Sequence, residues 1–123
     1  MNPYLKYFYN EIGSYISTIE HILRTQWFLK SVNIPYFMTE YSFDCLPRSE
    51  NQKNHSELKY LLDMIDREYW LPVDNMWKYS INTGAKFPKE DDHHPGTEHH
   101  EMFTRDVILP WLLRKYLTNY YRP

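Results

Sequence analysis

The chain has 123 residues and 42% hydrophobic content, with aromatic residues at 18%, which fits one folded domain with a buried core and excludes a disordered protein. The formal net charge is −2 with no basic half, so no charge pattern points to nucleic acid or to a membrane surface. A single cysteine, Cys45, excludes a disulfide framework within the chain and favours a reducing compartment.

No secretory signal pattern occupies Met1–Asn10, and no apolar run approaches the roughly 20 residues that span a bilayer. A cytoplasmic location is therefore expected. Asn2-Pro3 reads as an N-cap with proline at the first helical position. Apolar residues then recur from Leu5 and Phe8 through Tyr15, Ile19, Leu23 and Trp27, which predicts one helix from about Tyr4 to Lys30. Gly13 weakens it locally, and Asn33 can close it in a left-handed conformation.

Ile34 to Phe43 is short and rich in aromatic and apolar residues, with Pro35 at its start. It reads as a strand buried on both faces, as in a parallel sheet covered by helices. Pro47 to Ser56 reads as a polar loop, and Ser56 as the cap of a helix carrying Leu58, Leu61, Leu62, Ile65 and Tyr69. Trp70 to Val73 breaks that helix, and Asp74 is placed to cap a short turn with Met76 and Trp77. A last helix is expected from Thr97, with Phe103, Val107, Ile108, Trp111 and Leu112 on its apolar side and Pro110 kinking or splitting it. The order of elements implies an α/β unit, rich in helix, with too few strands to make its own sheet.

The chemistry concentrates in residues 91–101, which hold four of the six histidines and four carboxylates. Asp91-x-x-His94-Pro95 has the spacing at which a carboxylate orients an imidazole and stabilises its charged form, leaving the imidazole to act as a general base. The same cluster, with Glu98, His99 and His100, is a candidate for a metal. It lacks the His-x-x-x-His spacing of a helical zinc site, and on a helix His99 and His100 point about 100° apart, so no metal ligand or cofactor is assigned. Cys45, after the expected strand, opens a Cys45–His94 dyad as a further alternative to a cysteine packed as a small hydrophobe. The four tryptophans read as core rather than as a sugar-stacking surface, and Tyr116, Tyr120 and Tyr121 as an aromatic tail suited to a partner.

Asp91-x-x-His94-Pro95, His100 six positions after His94, and the amphipathic helix behind them resemble the end of SGNH/GDSL-type hydrolases. Gln26 to Lys30 running into Ile34-Pro35-Tyr36-Phe37 resembles SGNH-like proteins of tailed phages. The resemblance implies the C-terminal half of a flavodoxin-like three-layer domain over residues 1–123, located in host cytoplasm or virion. It also implies ester or acetyl-ester hydrolysis, with Asp91 as the orienting acid and His94 as the base of a Ser-His-Asp triad. The chain has no Gly-Asp-Ser and no Gly-x-Asn-Asp block, and its Gly13-Ser14 falls inside the first predicted helix. The implied nucleophile therefore has to come from another chain or from sequence outside this one. The competing expectations are a non-catalytic structural or interaction module and a histidine–carboxylate metal site. A homo-oligomer or a partner chain is expected, with neither nucleic acid nor membrane as partner.

Overall fold

The computed structural model describes residues 10–42, 45–89 and 94–117. They fall in two compact units, residues 10–36 with 45–68, and residues 37–42 with 69–89 and 94–117.

In the first unit, Asn10 caps helix α1 (Glu11–Ser31), its side chain accepting the Gly13 N–H at 3.2 Å. The cap expected at Asn2 lies outside the described residues. Ile19 and Leu23 are buried on α1, and Asn33 closes the helix at φ 54°, as its side chain permits. The expected polar loop instead holds a single helical turn, α2 (Glu50–Lys53). Ser49 and Gln52 form a reciprocal capping box there, each accepting the other's backbone N–H at 3.2 Å. Helix α3 (Ser56–Asp63) packs on α1 through the fully buried Leu58. Gln26 ties the chain after α3 back to α1. Its Nε2 donates to the Met64 carbonyl at 3.1 Å and its Oε1 accepts the Asp66 N–H at 2.7 Å.

The second unit contains helix α4 (Met76–Asn82), capped by Asn75 rather than by Asp74, and a C-terminal helix that begins as α5 (Thr97–Phe103). Beyond α5 the helix widens into a π-helical stretch (Thr104–Ile108), tightens as α6 (Leu109–Leu112), and widens again (Leu113–Leu117). Pro110 accordingly does not split it: the wider turn just before the proline accommodates a ring that would clash with the carbonyl four residues back in a regular α-helix. Leu71, Met76, Phe103, Val107 and Trp111 form the core, with Phe37, Val73 and Tyr79 packed against it.

The expectation of an α/β, flavodoxin-like SGNH unit is overturned. The described residues are mostly helical and contain no strand or sheet, so the fold is all-α, and the description as an α/β SGNH hydrolase fails with it. What remains of the expected strand is one isolated parallel bridge between Met38 and Trp70. Met38 donates to the Tyr69 carbonyl at 2.8 Å and accepts from the Leu71 N–H at 2.9 Å. The ladder stops there for local reasons. Upstream of Trp70, Arg67–Tyr69 coil into a 3₁₀ turn and offer no extended partner. Downstream, the next rung of the ladder would need the Glu40 carbonyl, in the alternation that Met38 sets. The Glu40 and Tyr41 carbonyls instead accept the N–H groups of Met76 and Trp77 at 3.0 and 2.9 Å, closing the first turn of α4.

Candidate functional site

Helix α5 is held at its start by Pro95, Gly96, His99 and His100. Pro95 is buried, and the Gly96 carbonyl accepts the His100 N–H at 3.1 Å. The Gly96 N–H points into the helix and donates to Nδ1 of His99 at 3.2 Å. His99 therefore does the work usually given to Glu or Gln at the third helical position, reaching back to satisfy an orphan N–H. With Nδ1 accepting, the neutral ring carries its proton on Nε2. That atom is buried and has no partner among the described residues. The His99 side chain is fully buried and lies against the Phe87 ring, centroids 4.7 Å apart.

Gly96 is required by packing rather than by backbone angle. A Cβ built there would stand 2.5 Å from Cγ of Pro88, a ring with little freedom to retreat. Gly96→Ala is expected to cost about 1–3 kcal/mol as an overpacking substitution. Chemical denaturation would measure it, and a loss below about 0.5 kcal/mol would show that the Pro88 contact gives way freely.

The residues singled out in the sequence are thus divided. Asp91, with Asp92 and His93, lies outside the described residues. His94, Glu98, His100 and Glu101 are exposed, whereas His99 is interior and serves the helix start. Among the described residues no three histidine, cysteine or carboxylate side chains gather as a metal site. Cys45 is half-buried in the first unit, and His94 belongs to the second. Ser14 lies exposed in α1. Trp111 is core, but Trp27 is 49% exposed, against the expectation that it packs inside.

Sequence reasoning missed one polar cluster. The Tyr79 hydroxyl donates to Oδ2 of Asp106 at 3.0 Å, and Arg105 holds the same carboxylate through Nε at 2.6 Å and Nη2 at 3.0 Å. The hydrogen bond from Arg105 holds the Asp106 carboxyl below its ordinary range, with Tyr79 adding to the effect. Burial, then Asp106, pushes the Tyr79 hydroxyl up, so it keeps its proton and acts as a donor. The cluster fastens α4 to the widened turn of the C-terminal helix. Its only advance signal was that Asp106 adjoins the predicted apolar Val107 and that Tyr79 lies three residues after Met76, which does not pair them.

Two surface grooves lie among the described residues, neither lined by His94. One of about 470 Å³ in the first unit is lined by Lys53, Lys59 and Arg67 together with Glu50 and Asp63. The other, about 270 Å³, runs along α4 past Asp74, Lys78 and Tyr79. No helix among the described residues is long and apolar enough to cross a membrane. Comparison with known protein families, with curated proteins and with solved structures finds no match to this chain.

Proposed function

We propose that this chain is a non-catalytic interaction module whose helical surface is covered by another polypeptide. One observation carries the reading. Leu109, Leu113 and Leu117 are 48%, 51% and 44% exposed and recur every fourth residue along the C-terminal helix. Residues four apart are neighbours on a helix surface, so the three make a continuous apolar strip rather than scattered single exposures. Such a strip costs solubility unless something covers it.

The second reading keeps chemistry in the loop before α5. There Asp91 orients His94, and His94 takes the proton of a serine supplied by another polypeptide. Its support is the exposure of His94 at the protein surface. A general base with neither nucleophile nor oxyanion donors gives little rate enhancement, so this reading needs a partner as well.

A fluorophosphonate probe, which labels activated serines, separates the two. Intact-mass analysis of the treated protein should find no adduct. A single adduct that disappears in His94→Ala would overturn the interaction reading in favour of the catalytic one.

A further inference from the structure

We propose, independently of the interaction reading, that His99 is a proton-operated latch: neutral, it holds the start of α5 closed beneath the Phe87 ring, and protonated, it lets that start open. The Gly96 N–H donates to Nδ1 at 3.2 Å, so the Nδ1 lone pair is taken by the backbone. The other ring nitrogen, Nε2, carries the proton of the neutral form and has no lone pair to offer. A second proton can therefore enter only at Nδ1, the atom that holds Gly96. Proton and helix cap compete for one lone pair. A Glu or Gln at the third helical position, the usual partner in a capping box, has no such conflict near neutral pH.

Burial makes the competition one-sided. His99 is 0% exposed, and the Phe87 ring lies against it. An imidazolium held there would be a buried charge in need of a counterion. Among the described residues none supplies one. Lys86 and Lys89 flank Phe87 and are exposed cations. On α5 itself Glu98, His100 and Glu101 are exposed, as is His94 before it. On α4, which packs against α5, Lys78 is exposed and paired with Asp74, and the Tyr79 hydroxyl is bound to Asp106. Neither ring nitrogen of His99 pairs with any of these groups. The neutral ring already leaves its Nε2–H without an acceptor, a cost that opening to water removes. The closed start binds no proton at His99, whereas the open start exposes an ordinary imidazole, which takes one below about pH 6.5. Closure therefore has its full stability above that pH and weakens about tenfold for each unit below it. His21, His55, His94 and His100 are exposed in the folded chain, so their protonation does not require opening.

Amide exchange on the full chain tests this, read as protection factors so that the intrinsic pH dependence of exchange cancels. Between about pH 7.5 and about pH 5.5 the protection of the Gly96 and His100 amides should fall about tenfold in the wild type. His100→Gln, a change at an exposed neighbour, should show the same fall. His99→Gln, whose side-chain oxygen can accept the Gly96 N–H and does not titrate, should show none. Constant protection in the wild type, or the same fall in His99→Gln, overturns the proposal. Should His99→Gln fail to fold, nitrogen NMR of the wild-type ring decides. Nδ1 gaining its proton as Gly96 loses protection supports the latch, and Nδ1 gaining its proton while Gly96 stays protected overturns it.

Discussion

Phe103→Ala is expected to destabilise the second unit by about 3–5 kcal/mol, the range for emptying a large aromatic site that cannot collapse. Phe103 is only 3% exposed and stands among Leu71, Met76, Val107 and Trp111. Its ring meets the Tyr79 ring edge-on at 5.2 Å, and that contact holds Tyr79 where its hydroxyl reaches Asp106. Removing the ring thus opens a cavity between α4 and α5 and loosens the polar cluster beside it. Urea denaturation followed by tryptophan fluorescence would report the loss, since Trp111 shares the core. Amide exchange would locate it, with α4 and α5 losing protection and α1 keeping its own. A loss under about 1 kcal/mol would mean that Tyr79 and Val107 close over the space, a degree of relaxation uncommon in packed cores.

Helices were legible in the sequence from the 3.6-residue period more than from their caps: Ser56, expected to cap α3, is its first residue, and no side chain caps that helix. Asn33 closing α1, Leu58 at the centre of α3, and Phe103, Val107 and Trp111 on the inner side of the last helix all follow from spacing and from residue chemistry. The expected strand was a reading of composition. Ile34 to Phe43 has the apolar and aromatic residues of a buried strand, but a strand exists only through its neighbours. Here the neighbour at Trp70 is one residue long, shut off by the 3₁₀ turn before it and, after it, by the Glu40 carbonyl turning to Met76. No reading of residues 34–43 alone contains that fact, which belongs to a segment some thirty residues further on.

The histidine cluster divides in the structure. Four histidines in eleven residues look like one chemical unit. On the helix they separate, His99 turning inward to accept the Gly96 N–H while His100 stays in solvent. The rotation of about 100° between neighbours was available from the sequence. The helix start at Thr97 was read there too; what the sequence lacked was a Phe87 ring ready to cover the inward imidazole. The Asp91 and His94 assignment rests on spacing and resemblance alone, because Asp91 lies outside the described residues.

Gln26 is where the sequence held more than was taken from it. Trp27 was assigned to the buried stripe of α1, yet Gln26 is 3% exposed and Trp27 is 49% exposed. At about 100° per residue, Gln26 falls inside the arc set by Tyr15, Ile19 and Leu23, and Trp27 falls about 40° beyond it. Hydrophobicity favoured the tryptophan; geometry favours the glutamine. The inward amide is satisfied at both ends by backbone across about forty residues of chain, through Met64 and Asp66. Gln26→Ala is therefore expected to cost about 2–4 kcal/mol, the removed packing adding to two backbone groups left without partners. Gln26→Glu isolates the polar part. It keeps the acceptor for the Asp66 N–H, loses the donor to the Met64 carbonyl, and sets a carboxylate in a buried place beside Asp66. At neutral pH it should be about 1–3 kcal/mol less stable than the wild type. In acid the protonated carboxyl donates again, so the deficit should shrink as the pH falls and widen as it rises. Urea melts of the three proteins across acid and neutral pH give the answer. A Gln26→Glu deficit that stays constant with pH would mean the amide is held by packing, and that its two hydrogen bonds contribute little to joining α1 with the chain after α3.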